Sequence, residues 1–169
     1  MQVLFVTIGA RRFALDCAEI REVLPVVNYR SALTGPPWLL GLFNLRGALV
    51  PLVDLPMLVN GGSESLRMGS RIVVLRLEAD LFSAARFHSD SSSFDASVGK
   101  LVGLLVPEIT GLGECDFTDV GAHAGFAFAG APHLGPTTVD AQGMVQLLRC
   151  RRILEGDAAL RELPASTDS

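Results

Sequence analysis

Short apolar runs closed by turn residues limit what this 169-residue chain can fold into. The clearest case is Gly41-Leu42-Phe43-Asn44-Leu45-Arg46-Gly47-Ala48-Leu49-Val50-Pro51-Leu52-Val53-Asp54-Leu55. It strings two strand-like runs, 43–45 and 48–55, around one polar knot, Asn44-Leu45-Arg46-Gly47. β-branched and aromatic residues suit a pleated, half-buried surface, and glycine supplies the positive φ of a tight hairpin turn. A guanidinium at such a turn is held by backbone, so it points to one place. Nothing in the run supplies a nucleophile, a metal cluster or a phosphate loop, and it reads as a recognition device. Pro51 has no N–H to donate, which predicts an edge strand or a bulge at that position.

The same punctuation recurs along the chain. Residues 3–8 and 12–15 flank Gly9-Ala10 and predict a hairpin. Asp16 is placed to cap a short helix, with Glu19 completing a capping-box pattern. Ile20, Val23 and Leu24 then fall on one helical face, and Pro25 stops it. Further strands are predicted over 26–33, 71–77, 98–106, 137–139 and 144–148, and a helical turn over 107–112 broken by Gly111 and Gly113. Gly35-Pro36-Pro37-Trp38 is a rigid loop, and 60–65 is a turn-rich connector. Residues 79–98 are rich in serine and aspartate and read as a mobile loop between two strands. Residues 151–161 suit a closing helix, and 162–169 a flexible tail. The two halves, about 1–65 and 66–155, repeat strands, a short helical turn and glycine-turned strands in the same order. Many short strands at this spacing favour an all-β chain with short helices, folded as paired small β-barrels.

Hydrophobic residues make up 49% of the chain, with a mean hydropathy of +0.40, so most of it has the means to build a core. No apolar run approaches the roughly 18 residues of a membrane span. The apolar residues 3–10 precede Arg11-Arg12 instead of following a basic segment, the reverse of a signal peptide, and the chain reads as cytosolic. A net charge of −4 with scattered basic residues argues against nucleic acid as the main partner. Cys17, Cys115 and Cys150 are odd in number and far apart, which suits reduced, buried small hydrophobes. His88, His123 and His133 are isolated, so no metal or other cofactor is expected. There is no G-x-S-x-G elbow, and Gly99-Lys100 and Gly111-Leu112-Gly113 lack the rest of a phosphate or dinucleotide loop.

Arg46 has two readings. It is a surface arginine whose ion pair is worth at most about 1 kcal/mol, or an interface anchor whose desolvated contact exceeds about 2 kcal/mol. Trp38 suits loop packing, or an interface beside Pro36-Pro37. Asp16, Glu22 and Asp54 suit a helix cap, an exposed helix face and turn-end hydrogen bonding better than acid–base work. A function of another class, a small β-barrel ligand binder or enzyme, would use a groove lined by Asp54, Glu22 and Arg46.

Phe13-Ala14-Leu15-Asp16, Ile20-Arg21-Glu22-Val23, Pro36-Pro37 and the run from Gly41 to Leu55 together resemble the CheW-like domain of bacterial chemotaxis coupling proteins. A weaker block, Val102-Gly103-Leu104-Leu105-Val106 through Ile109, then 144–154, resembles the family's second half. The resemblance implies two SH3-like five-stranded β-barrels in one domain, no catalysis and no cofactor. It implies an adaptor, cytoplasmic but recruited to membrane-associated receptor arrays. Its partners would be the cytoplasmic tip of a chemoreceptor and the regulatory domain of a CheA-type histidine kinase. The receptor contact would lie in the groove between the barrels and use Arg46, Asn44 and Gly47, with Glu22 beside them. The kinase contact would use Ile20 and Val23, with Phe126 where the second barrel meets a neighbouring kinase domain. Pro56 and Arg149 depart from the family pattern, as does the long serine-rich loop. Those departures suit a specialised paralogue in a surface-sensing or twitching pathway, or a decoy for the kinase.

Overall fold

The computed structural model describes residues 1–77, 100–117, 133–149 and 152. Among them the chain forms β1 (Gln2–Ile8), β2 (Arg11–Asp16), a 3₁₀ turn (Cys17–Glu19), β3 (Ile20–Pro25), β4 (Arg30–Ser31), β5 (Leu39–Leu45), β6 (Ala48–Asp54) and α1 (Leu55–Asn60). It continues through β7 (Arg71–Leu77), β8 (Lys100–Val106), β9 (Glu108–Glu114), β10 (Leu134–Asp140) and β11 (Gly143–Leu148). One sheet has the order β10-β11-β2-β1-β9, the other β3-β7-β8-β6-β5-β4. The expected all-β architecture of two SH3-like barrels with short helices is the one observed.

Three apolar layers explain why so many strands are continuous hydrophobic runs. Leu4, Val6, Ile8, Phe13, Leu15 and Leu148 of the first sheet meet Val53, Val73, Leu75, Val102, Leu104 and Val106 of the second in one shared core. On the far face of the second sheet, Phe43, Leu45, Val50, Leu52, Ile72, Val74 and Leu105 fill one barrel. On the far face of the first, Val3, Ala14, Cys115, Val145 and Leu147 fill the other. Successive residues of a strand point to opposite faces, so a strand between two cores must be apolar at every position. β7 shows this directly: Ile72 and Val74 enter one core, Val73 and Leu75 the other. The second sheet curls on itself, because Leu24 and Val26, at or just past its β3 edge, pack against the cluster that holds Phe43 and Leu45.

The barrels are not the two halves of the chain. The first sheet combines β1 and β2 with β9 to β11, and the second takes β3 to β8. The chain changes sheets at the 3₁₀ turn and again at Pro107, between β8 and β9. A boundary near residue 65 therefore falls inside the second barrel, and interleaving across the shared core replaces tandem repetition.

Four local expectations need correction. Residues 20–25 are not helical but form β3, with Asp16 capping only the three-residue 3₁₀ turn through Ala18 N–H at 2.9 Å. Residues 107–112 are not a helical turn: β9 alternates exposed and half-buried positions against β1. Gly113 is there for space, since a Cβ would sit 2.7 Å from the Phe5 ring. Within 26–33 only Arg30 and Ser31 form strand, before the chain bends at Gly35-Pro36. Pro51 lies in an interior strand; pairing with β8 begins one residue later, at Leu52 opposite Gly103, and the bulge is on β5 near Leu40. Helix α1 was not anticipated, although Asp54 caps it, Pro56 sits in its first turn and Gly61 closes it at φ 74°. The expected loop at 79–98, the closing helix at 151–161 and the tail at 162–169 lie outside the described residues, apart from Arg152.

A polar tie in the first sheet links β2 to the β10 edge across β11. Arg12 donates two parallel hydrogen bonds to Asp140, at 2.7 and 2.9 Å, with its guanidinium 5.1 Å from the Phe5 ring centre. The bond from Arg12 holds the Asp140 carboxyl below its ordinary range. Burial pushes the His133 imidazole below its own, and its Nε2 has no hydrogen-bond partner among the described residues.

Two outcomes are expected. Leu104→Ala, in the shared core, should cost about 2–5 kcal/mol, and urea unfolding should remain one transition by fluorescence and circular dichroism; two separated transitions would contradict a common core. For pH the signs agree, because both groups bind protons more weakly folded than unfolded. Stability should begin to fall below about pH 6.5 as unfolded His133 charges, and fall further below about pH 4 as the Asp140 contribution is lost. Asp140→Asn should shrink the second loss in a urea–pH series and leave the first.

Candidate protein interface

The polar knot is a two-residue hairpin loop. Leu45 pairs with Ala48, and both residues between them have positive φ, 47° at Arg46 and 90° at Gly47. This is the geometry of a type I′ turn, whose twist matches that of the flanking strands. Asn44 Oδ1 accepts the Gly47 N–H at 2.8 Å, tying the turn to the strand before it. Gly41, lower on β5, is required by close packing, because a Cβ there would lie 1.9 Å from the Arg30 carbonyl oxygen.

Glu22 reaches the turn from β3. Ile20 pairs with Leu75 and Glu22 with Val74, so Arg21 is an extra residue, a bulge. The bulge puts Ile20 and Val23 on the face of Leu75 and Val73, and turns Glu22 and Leu24 towards the barrel that holds Val74 and Ile72. Arg46 Nη2 then donates to Glu22 Oε1, linking the edge strand to the β5–β6 hairpin across the barrel mouth. The Arg46 side chain stays 63% exposed and that of Glu22 23%.

Energies of this size decide what the arginine is for. A left-handed backbone costs a non-glycine residue roughly 1–2 kcal/mol. An exposed ion pair returns about 0–1 kcal/mol. Stability alone would favour glycine at position 46. Arg46 nevertheless keeps a left-handed backbone with most of its side chain in solvent.

The structure brings Glu22, Asn44, Arg46 and Gly47 together. Ile20 and Val23 lie beside them on β3, Ile20 packed against the shared core and Val23 exposed at 42%. Phe126 lies outside the described residues. Asp54 does not join them. It is buried at the opposite end of β6, on the order of 20 Å of strand away, where it accepts from Met57 N–H and Ser63 Oγ. The groove of Asp54, Glu22 and Arg46 therefore does not exist, and the acid–base alternative loses a carboxylate. Trp38 packs against the shared core, and its carbonyl accepts from Asp54 N–H at 2.7 Å. Two surface residues near the turn were not singled out from sequence: Leu49, opposite Asn44 and 50% exposed, and Arg76, exposed at the end of β7. In alternating strands such residues look like ordinary solvent-facing positions.

Among the described residues no helix is long and apolar enough to cross a membrane. Two SH3-like barrels share one core, with an arginine hairpin turn at one barrel mouth. The chain belongs to the CheW-like domain family, which matches residues 2–158. It is 29% identical over 76 residues to the chemotaxis protein CheW of Helicobacter pylori (strain ATCC 700392 / 26695). That match covers 45% of this chain and about half, 46%, of the relative. In fold it is similar to the scaffolding protein TtCheW from Thermoanaerobacter tengcongensis, with a TM-score of 0.70 and 16% identity, over 92% of this chain and 90% of that one.

Arg46→Gly should therefore stay within about 1 kcal/mol of the wild type in urea unfolding, because relief of backbone strain offsets the lost ion pair and the added unfolded-state entropy. A loss above about 2 kcal/mol would mean that Arg46 is a structural residue.

Proposed function

We propose that this chain is a non-enzymatic adaptor that couples the cytoplasmic tip of a chemoreceptor to the regulatory domain of a CheA-type histidine kinase. The observation that carries the reading is Arg46, held left-handed in a type I′ turn and exposed although stability favours glycine there. Family membership supplies the context, since the relatives are named as a chemotaxis protein and a scaffolding protein.

In this reading Arg46 is the receptor anchor, Asn44 and Gly47 fix its direction, and Glu22 orients its guanidinium before the partner arrives. Holding a long side chain in its bound position reduces the ordering cost of association. The kinase domain meets the β3 edge through Val23, with Ile20 beneath it, and Phe126 takes a further kinase contact. An adaptor of this kind works in the cytoplasm, at membrane-associated receptor arrays, and needs neither metal nor cofactor.

The purified chain should bind a receptor-tip fragment and a kinase regulatory domain independently in titration calorimetry. Arg46→Glu should weaken receptor binding at least tenfold, the scale of an interface anchor, and leave kinase binding and the circular dichroism spectrum unchanged. Unchanged receptor binding by that variant would remove Arg46 from the site.

A further inference from the structure

At the barrel mouth that holds Arg46, the described residues include two further arginines, Arg76 on β7 and Arg21 on β3, near Glu22. On β7, Val74 and Arg76 are two residues apart and share a face. Glu22 shares that face through its pairing with Val74, so Glu22 and Arg76 are diagonal cross-strand neighbours, a spacing that long side chains span. Arg46 reaches the same carboxylate from the β5–β6 turn. Glu22 thus has Arg46 in an ion pair and Arg76 at its cross-strand diagonal.

Glu22 is committed to Arg46, while Arg76 is exposed and in no ion pair among the described residues. The β3 bulge adds Arg21, also exposed and also without an ion pair among the described residues. Strand directions bring these positions to one end of the barrel. Arg76 pairs with Leu101 near the start of β8, and β8 runs parallel to β6, which starts at the Arg46 turn. Half-buried Leu101, packed against the barrel core, adds apolar surface at that end.

We propose that this arginine-lined barrel mouth docks an acidic surface of the receptor tip, with Arg76 binding a partner carboxylate that Glu22 does not supply to it. The inference rests on the receptor reading of Arg46 and deepens it by naming the partner's chemistry: a surface with at least two carboxylates. Arginine suits the task because its planar fork grips a carboxylate through two parallel hydrogen bonds. Uncompensated charge of one sign also steers an oppositely charged partner, an effect that salt screens. Glu22 then has a second use: it neutralises Arg46 in the free chain and keeps two close cations from repelling each other.

The test titrates the full chain and its variants with a chemoreceptor cytoplasmic-tip fragment and, separately, with the kinase regulatory domain, at low and high salt. Wild-type affinity for the tip should fall with salt. Arg76→Glu should reduce it about tenfold or more, mainly through the association rate, as expected for a charge at an interface rim. Arg76→Gln should lie between the two and flatten the salt dependence, and Arg21→Glu should act in the same direction with a smaller effect. Kinase binding by the Arg76 variants, and the melting temperature of every variant, should not move.

If Arg46→Glu abolishes tip binding but Arg76→Glu and Arg21→Glu leave it intact, this inference falls and the receptor reading stands. If the wild-type chain does not bind the tip, both fall. A drop in melting temperature in Arg76→Gln with unchanged tip affinity would show that Arg76 is paired within the chain, and would also overturn the proposal.

Discussion

The shared apolar layer between the two sheets is the constraint on which the other features depend. Ile8, Phe13 and Leu15 press from one side, and Val73, Leu75, Leu104 and Val106 from the other, all essentially inaccessible to solvent. At roughly 25 cal/mol per Å² of apolar surface removed from water, this layer is the largest single source of stability available to either sheet. Either barrel on its own would expose one apolar face, of β1 in the first sheet or of β7 and β8 in the second. The interleaved chain path follows from that layer: crossings at the 3₁₀ turn and at Pro107 weave both sheets into one body.

That rigid body gives the Arg46 turn its value. The hairpin is anchored through Phe43 and Leu45 in the second barrel's core, and by the close approach of Gly41 to the Arg30 backbone. The β3 bulge then brings Glu22 to the guanidinium. Side chains on strands locked by burial keep their positions, so the turn spends its small strain on presenting a cation.

Much of this was legible before the structure, and the exceptions have physical causes. Gly9-Ala10 and Arg46-Gly47 marked their hairpins because tight turns demand particular residues. Residues 20–25 misled because a bulge at Arg21 puts Ile20 and Val23 on one face, and a three-residue spacing imitates a helical turn. β9 was missed because Gly111 and Gly113 look like helix breakers, while Gly113 in fact leaves room for the Phe5 ring. The tandem division failed because a sequence shows order but not which sheet each strand joins. Within the site, the Asn44–Gly47 turn was plain, whereas Arg76 became visible only when pairing placed it diagonal to Glu22. Its significance depends on register, and register is a property of two segments at once.

The most direct test of this account is hydrogen–deuterium exchange of the full chain, alone and saturated with a receptor-tip fragment. Amide protection should increase at the β5–β6 turn, residues 44–49, and at Glu22 on β3, while the shared-core strands β1 and β8 exchange slowly in both states. Protection gained elsewhere, with exchange at the Arg46 turn unchanged, would contradict the assignment of that turn as the recognition device.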